Sequence, residues 1–269
     1  MQRFRLGSVP YVNAVPLVWA AARATDEFEV LYAPPSELPV LLEADRVDAI
    51  LVSSVDALRV PGRRMAAGVC IGSRGAVRSV RLFSQVPFDK LRTLCLDQSS
   101  MTSNRLAQVV LGQVVGVRPV TRTAPPDLNV MLRDSDACVL IGDRGLEAEG
   151  KGLHVMDLGE AWLELSGLPF VWAGWIGGER LTAELSGRLR SDAESSLTQH
   201  REELVADAMR RSGWSADTVR SYLFESMSFL LGEEMEPSLR AFQSALRASG
   251  FDDCSHFPEW VGVTSTCGR

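Results

Sequence analysis

The chain has 269 residues, 46% of which are hydrophobic, and a formal net charge of −6 at pH 7. This length allows one sizeable core or two smaller lobes, and the acidic balance argues against nucleic acid, whose binding proteins present a basic face. No apolar run approaches the roughly 20 residues of a membrane helix. The N-terminal stretch MQRFRLGSVPYVNAVPL lacks the apolar core of a signal peptide. We therefore expect a cytoplasmic protein that binds neither nucleic acid nor membrane.

The first part of the chain alternates short apolar strand signals with helix signals. Strands are expected at residues 4–9, 28–33, 47–53, 66–71 and 77–84. Helices are expected at residues 15–24, at residues 36–44 with Ser36 as the cap, and at residues 54–58. Short connections between alternating strands and helices favour an α/β fold with a parallel sheet covered on both faces.

A second alternating series follows, and then the character of the chain changes. Strands are expected at residues 93–96, 118–122, 137–141, 155–158 and 169–176, and helices at residues 103–115, 126–133 and 160–166. From residue 182 to residue 250 the pattern is helical throughout. We expect a larger lobe from residues 1–87 plus 169–269 and a smaller lobe from residues 88–168, with crossings near residues 84–88 and 168–171. Ligands of open α/β sheets bind at the carboxyl ends of strands, which predicts a central cleft.

The stretch DQSSMTSNRL places a cluster of hydroxyl side chains, the hydroxyl cluster, at the start of a helix. Its members are Ser99, Ser100, Thr102 and Ser103. One cap satisfies the amides of a first helical turn, so the cluster is either a redundant cap in a polar turn or an anion site built from amides and hydroxyls. No Gly-rich P-loop and no lysine accompany it, which favours a small carboxylate over a nucleotide triphosphate.

Other polar residues follow the ends of strands. In VPYVNAVPL, one alternative is that Asn13 caps the helix that Pro16 opens; the other is that Tyr11 and Asn13 lie at the cleft mouth, where the Asn13 amide binds a ligand. In LVSSVDAL, Ser53 and Ser54 end a buried strand and open a helical turn, which repeats in the other lobe the pattern of the hydroxyl cluster.

Two further candidate site residues, Ser79 and Asp143, could equally have purely structural roles. In GAVRSVRLFSQ, polar residues including Ser79 alternate with apolar ones, which is typical of a strand with a polar cleft face or of a half-exposed edge strand. In VLIGDRGL, Asp143 follows a buried strand, as either a helix cap or a cleft carboxylate.

The sequence contains no recognisable motif for binding a metal or a cofactor. The histidines, His154, His200 and His256, lack metal-ligand spacing. The five cysteines are odd in number and scattered, which is typical of reduced thiols. Neither a G-x-S-x-G elbow nor a G-x-G-x-x-G fingerprint is present. We expect no metal and no cofactor, and the residues alone leave open whether the cleft belongs to an enzyme or to a binding protein.

Six motifs, in order, carry a family resemblance: SVPYVNAVPL, DAILVSSVDAL, VRSVRLFSQ, DQSSMTSNRL, IGDRGL and LPFVWAGW. Over about residues 4–260 the chain resembles the menaquinone-biosynthesis enzyme family that includes chorismate dehydratase. The resemblance implies a two-lobed, type 2 periplasmic-binding-protein-like fold used as a cytoplasmic enzyme, without a cofactor and as a monomer or homodimer. It also implies dehydration of chorismate to 3-[(1-carboxyvinyl)oxy]benzoate, a hydro-lyase reaction that opens the futalosine route to menaquinone.

The resemblance also implies roles for individual residues. Asn13 and Ser79 match polar positions with a catalytic role. Ser99, Ser100, Thr102 and Ser103 match the anion-binding loop, while Ser53, Ser54 and Asp143 match other cleft positions.

Rival functions stay open. The related 1,4-dihydroxy-6-naphthoate synthase has Pro-Asn-Asp after the first strand and a histidine in the second lobe, whereas this chain has Val12-Asn13-Ala14 and no histidine between residues 100 and 150. A small-carboxylate binding protein shares the fold, and a regulator's sensor domain lacks support because no helix-turn-helix segment is present.

Overall fold

The structure, a computed structural model, describes residues 3–262 and alternates strands with helices along most of its length. The strands are β1 Phe4–Ser8, β2 Phe28–Tyr32, β3 Ala49–Ser53, β4 Arg64–Ser73, β5 Arg81–Ser84, β6 Thr93–Asp97, β7 Val120–Ala124, β8 Ala137–Leu140, β9 His154–Asp157, β10 Phe170–Gly177 and β11 Glu259–Val261. Within the described residues, no helix is both long and apolar enough to cross a membrane.

The helices lie between these strands and dominate the C-terminal part. They are α1 Val15–Val18, α2 Leu38–Glu43, α3 Ser54–Arg59, α4 Thr102–Val110, α5 Leu128–Arg133, α6 Gly142–Glu147, α7 Leu158–Ser166, α8 Ala183–Gln199, α9 Arg201–Ser212, α10 Ala216–Ser221 and α11 Met235–Ala248. Wider π turns at Leu111–Val115 and Tyr222–Ser226 continue α4 and α10.

Two sheets organise the strands. The six-stranded sheet has the order β11-β4-β10-β3-β1-β2 and the five-stranded sheet the order β7-β6-β8-β5-β9. This confirms the expected two-lobed α/β fold. Strands β1, β2 and β3 are parallel as expected, but β10 runs antiparallel between β3 and β4, and β5 runs antiparallel between β8 and β9. Both sheets are therefore mixed, because the strands next to the crossings run back against their neighbours.

The chain crosses between the sheets earlier than expected. Strand β4 ends at Ser73 in the first sheet, and β5 starts at Arg81 in the second, so the crossing lies within residues 74–80 rather than 84–88. The return crossing lies between β9 and β10. By sheet membership β5 belongs with the smaller lobe. The alternation that suggested a strand over residues 77–84 arises because Val77 and Val80 are buried in the crossing itself.

Two expected helices differ at their ends. The helix expected over residues 15–24 is regular only in α1, and mixed i→i−3 and i→i−4 hydrogen bonds carry the chain on as turns. The prediction that Ser36 caps the second helix is wrong. Helix α2 begins after Glu37, whose side chain makes no capping hydrogen bond.

One main hydrophobic core runs through both lobes, and a smaller cluster lies on the other face of the five-stranded sheet. The cysteines Cys70, Cys95, Cys138 and Cys254 are buried and free, while Cys267 lies outside the described residues. Burial raises the pKa of the Cys70 and Cys138 thiols to about 12. These thiols are therefore packing groups rather than nucleophiles.

Candidate active site between the two sheets

A cavity lies between the two sheets, with an empty volume of about 730 Å³ that includes its open mouth. Its size falls in the range of small-molecule sites. Apolar walls come from residues such as Val9, Leu51 and Trp172. Eight of the ten sequence-predicted site residues line it, namely Tyr11, Asn13, Ser53, Ser79, Ser99, Ser100, Thr102 and Ser103. Ser54 and Asp143 do not.

The strands explain why these residues meet. Strand β1 ends shortly before Tyr11 and Asn13, β3 ends at Ser53, and β6 ends just before the Ser99–Ser103 loop. Carboxyl ends of parallel strands share one edge of a sheet. Because the two sheets turn these edges toward each other, residues far apart in sequence line one cavity.

The first turn of α4 has amides that no side chain caps. Its N-cap is Met101, which makes no side-chain cap bond, so the alternative that the hydroxyl cluster is a redundant cap is wrong. The amides of a first helical turn have no partner within the helix. Since this helix start lines the cavity, it presents N–H groups and the positive end of a helix dipole to a bound anion.

The loop before α4 is braced by its own side chains. The Asp97 carboxylate accepts from the Ser99 amide at 2.8 Å and the Ser99 hydroxyl at 2.5 Å. The Asn104 amide nitrogen donates to the Asp97 and Ser100 carbonyls at 2.8 and 2.5 Å. The hydroxyl proton of Ser99 is thus used inside the loop, which leaves the hydroxyls of Ser100 and Ser103 as the better donors to a ligand.

Thr102 joins the two lobes. Its hydroxyl is hydrogen-bonded to that of Ser53 and lies 3.4 Å from that of Ser54. Ser54 is fully buried and donates to the Val171 carbonyl at 2.7 Å. Ser54 therefore ties the first sheet together behind the cavity wall, while its neighbour Ser53 lines the cavity.

Asn13 has an unused polar atom at the site. It lies inside the 3₁₀ turn Val12–Ala14, whose N-cap is Tyr11, so the alternative that Asn13 caps a helix is wrong. Its side-chain oxygen is buried and has no hydrogen-bond partner among the described residues. A buried acceptor without a partner is costly, and a ligand donor in the cavity would satisfy it.

Ser79 is held by the crossing between the sheets. The preceding Arg78 has a left-handed backbone, with φ +64°. The Asp157 carboxylate fixes it by accepting the amides of Val77 at 3.0 Å and Arg78 at 2.6 Å, and it also caps α7. Strand β5 begins after Ser79 and lies between two other strands, so the edge-strand alternative is wrong.

Asp143 lies beside the cavity rather than in its wall. It sits in the first turn of α6, whose N-cap is Ile141, so it is not the helix cap. Burial, and then the charge of Glu147, raises the pKa of Asp143. Burial also raises the pKa of Tyr11, and the charges of Asp97 and Asp143 raise it further. Tyr11 therefore stays a neutral hydrogen-bond donor at the cavity.

No side chain of Lys, Arg, His, Asp or Glu occurs among the described residues that line the cavity. Within residues 3–262 no cluster of His, Cys, Asp and Glu is arranged to hold a metal ion. The site is therefore a neutral, hydroxyl-rich chamber next to a helix start, suited to binding anions through amides and hydroxyls.

Sequence reasoning missed several residues of the site. Trp172 lines the cavity, and its indole donates to Ser73 at 3.0 Å. Met227 lines it as well. Tyr222 donates its hydroxyl to Ser79 at 2.9 Å. The motif LPFVWAGW is a signal for Trp172, whereas nothing in the helical pattern around Tyr222 marks it.

Comparison with known proteins finds relatives of similar sequence. The chain is 29% identical over 267 residues to a chorismate dehydratase of Thermus thermophilus, covering 91% of this chain and 96% of that protein. It is 28% identical over 176 residues to a chorismate dehydratase of Campylobacter jejuni, covering 62% of this chain and 64% of that protein.

Solved structures with low sequence identity share the fold. A crystal structure of an Archaeoglobus fulgidus protein matches with a TM-score of 0.75 at 16% identity, covering 93% of this chain and 98% of that one. The periplasmic aliphatic sulphonate binding protein SsuA of Escherichia coli matches with a TM-score of 0.63 at 14% identity, covering 94% and 88%. A family model described as menaquinone biosynthesis matches residues 4–248, and this chain therefore belongs to that family.

Proposed function

We propose that this protein is a chorismate dehydratase, a hydro-lyase that converts chorismate to 3-[(1-carboxyvinyl)oxy]benzoate and water at the start of the futalosine route to menaquinone. The family membership and the two relatives named chorismate dehydratase support this proposal. The observation that carries it is the neutral cavity, where Asn13 and Ser79 face a helix start lined with hydroxyls. The proposal includes a cytoplasmic location and a monomeric or homodimeric state.

Chorismate suits this cavity in size and in chemistry. It carries a ring carboxylate, a second carboxylate on the enolpyruvyl ether and a ring hydroxyl. A carboxylate can accept the first-turn amides of Thr102 and Ser103, with help from the Ser100 hydroxyl. The apolar walls of Val9, Leu51 and Trp172 suit the ring.

The reaction removes the proton from C3 and the hydroxyl from C4. The C3–H bond breaks first, and its electron pair spreads through the ring to the carboxylate on C1. The C4–O bond then breaks, the departing hydroxide takes up a proton to become water, and the ring becomes aromatic. Amides and hydroxyls at the start of α4 stabilise the charge that develops on the ring carboxylate. Asn13 and Ser79 bind the hydroxyl that leaves.

A carboxylate of the substrate is the base in this proposal. No ionisable Asp, Glu, His or Lys side chain is among the described residues that line the cavity. The enolpyruvyl carboxylate is attached through the ether oxygen to C3, so it lies near the proton to be removed. The same proton can then join the departing hydroxide. The protein supplies orientation and hydrogen bonds, which are large contributions when reacting groups are held in place.

The direct test is to incubate the purified protein with chorismate and follow the products by mass spectrometry. We expect a product lighter by one water that retains the enolpyruvyl ether, at a rate far above a sample without protein. Unchanged chorismate in the presence of folded protein would contradict the proposal. Thermal shifts with small carboxylates would then separate a binding role from the related 1,4-dihydroxy-6-naphthoate synthase activity, whose substrate would be assayed next.

A further inference from the structure

A buried phenol lies directly behind the polar end of the cavity. Tyr222 is 1% exposed, and its hydroxyl donates to the Ser79 hydroxyl oxygen at 2.9 Å. It belongs to the π turn Tyr222–Ser226 that follows α10. Tyr222 is absent from the cavity lining, so it reaches the candidate active site through its bond to Ser79.

The direction of this hydrogen bond decides what Ser79 can do. A hydroxyl has one proton to donate and two lone pairs to accept with. Because the phenol gives its proton to Ser79, one lone pair of Ser79 is occupied, while the proton of Ser79 stays available. Ser79 itself lines the cavity. Tyr222 therefore sets Ser79 up as a donor toward a ligand oxygen.

Asn13 lines the cavity together with Ser79, and its side-chain oxygen is buried without a partner among the described residues. Burial raises the pKa of Tyr222 to about 12, against the hydrogen bonds of Ser79 and Asn13, which lower it. The phenol therefore keeps its proton at neutral pH and donates it to Ser79.

The phenol itself is fixed in place. The Tyr222 ring makes an edge contact with Trp214, with centroids 5.7 Å apart. The preceding Ser221 accepts the Arg78 guanidinium at 2.7 Å. Arg78 adjoins Ser79, so the π turn and the crossing are bonded at two neighbouring positions. These contacts hold Tyr222 next to the hydroxyl that it orients.

We propose that Tyr222 is a positioning residue that directs the Ser79 proton toward the leaving hydroxyl of the substrate. The chain of donors runs from the phenol to Ser79 and from Ser79 to the ligand. Hydrogen bonds in such a chain strengthen one another. This inference rests on the proposed dehydratase function, and Tyr222 acts only through Ser79.

The test is the substitution Tyr222→Phe, which removes the hydroxyl and keeps the ring. We expect kcat for chorismate to fall about 10- to 100-fold, in the lower range of effects for groups that orient catalytic hydrogen bonds, while KM changes less than about threefold. In a Ser79→Ala background, Tyr222→Phe should cause no further loss, since two residues that act as one unit are not additive. The matched control Tyr32→Phe, at a side chain 43% exposed on β2, should leave kcat unchanged.

The outcomes separate the two proposals. If the wild type does not convert chorismate, the proposed function fails and this inference fails with it. If the wild type is active and Tyr222→Phe keeps full kcat, or multiplies the loss in the Ser79→Ala background, only the positioning role is overturned. If Tyr222→Phe does not fold, Tyr222→4-aminophenylalanine keeps an N–H donor at the same place. That variant should retain kcat within about tenfold of the wild type, and an inactive folded variant would overturn the role.

Discussion

At the scale of single residues, the candidate chemistry rests on a few neutral groups. Ser79 is 2% exposed and accepts the Tyr222 proton, and the Asn13 oxygen lacks a partner among the described residues. Neutral donors and acceptors do not themselves take a proton from carbon at neutral pH. Their contribution is to orient the substrate and to stabilise charge as it develops, and such groups act strongly when they are preorganised.

Substitutions at Ser79 and Asn13 test this assignment. We expect Ser79→Ala and Asn13→Ala each to lower kcat about 10²- to 10³-fold, the range measured when one preorganised donor is removed. Steady-state kinetics with chorismate measure the effect. Ser244→Ala is the matched control, because its exposed hydroxyl donates to the Arg240 carbonyl within its own helix, α11. Full turnover by either site variant would remove that residue from the mechanism.

The Tyr222 phenol also predicts a pH dependence of stability. Its pKa is raised from 10 to about 12 in the folded protein. Above pH 10 the unfolded chain loses this proton while the folded protein keeps it, so stability falls as the pH rises toward 12. The full effect is about 3 kcal/mol.

Urea unfolding between pH 8 and pH 11.5 measures this dependence. The free energy of unfolding should fall more steeply for the wild type than for Tyr222→Phe above pH 10, since the variant has no phenol to titrate at that position. Tyr32→Phe should keep the steep slope of the wild type. Parallel curves for the wild type and Tyr222→Phe would show that the phenol does not titrate abnormally.

Motifs predicted most of the polar residues that line the cavity, and the exceptions have physical reasons. Ser53 and Ser54 are adjacent, but Ser53 ends β3 and lines the cavity, while Ser54 begins α3 and donates to the Val171 carbonyl behind it. Tyr222 follows Ser79 by more than a hundred residues, in a helical segment whose pattern reports burial and not partners. Contacts of this kind are set by tertiary packing, which spacing in a sequence does not encode.

At the scale of elements, the strands were easier to predict than the path between them. The expected strand at residues 47–53 appears as β3 Ala49–Ser53, because a continuous apolar run marks a strand buried on both faces. The expected strand at residues 77–84 merged a crossing with β5. Buried crossings and strands show the same alternation, and the left-handed backbone at Arg78 has no signature in its side chain.

The packing of α6 against the crossing gives a prediction at this scale. A Cβ added at Gly145 would fall onto the Ser79 carbonyl oxygen and lie 2.9 Å from the Leu140 carbonyl oxygen. Both are backbone atoms that cannot turn away, so Gly145→Ala should shift Ser79. We expect a lower melting temperature and a kcat reduced about tenfold or more, as small misplacements of reacting groups are costly.

Gly187→Ala is the matched control for Gly145→Ala. Gly187 lies inside α8, and nothing lies within 4 Å of its added Cβ. Alanine favours a helix over glycine by about 1 kcal/mol, so this variant should be as stable as the wild type or more stable. A Gly145→Ala variant with wild-type stability and kcat would contradict the tight contact between α6 and the crossing.

At the scale of the whole molecule, polar links hold the two lobes around the cavity. Thr102 of the smaller lobe is bonded to Ser53 of the larger one. Farther out, Asp253 accepts the Arg105 guanidinium at 2.7 Å and the Arg59 guanidinium at 2.7 Å. Exposed ion pairs contribute little individually, so the buried hydroxyl pair is the more consequential link.

Thr102→Val tests whether that link matters for the substrate. The change keeps the shape and removes the hydroxyl, so it should raise KM for chorismate about three- to tenfold, in line with one lost hydrogen bond of about 1 kcal/mol. Ser53→Ala should do the same, and the double variant should be no worse than either single one, because both remove the same bond. Additive effects in that cycle would mean that the two hydroxyls bind substrate independently.

The most direct measurement is a crystal structure of the protein with 3-[(1-carboxyvinyl)oxy]benzoate bound. We expect the ring in the cavity between the sheets, with its carboxylate on the first-turn amides of α4. The C4 edge should face Asn13 and Ser79 at about 3–4 Å, the separation of groups poised to react. A product bound elsewhere, or bound with C4 turned away from both residues, would rule out the proposed mechanism.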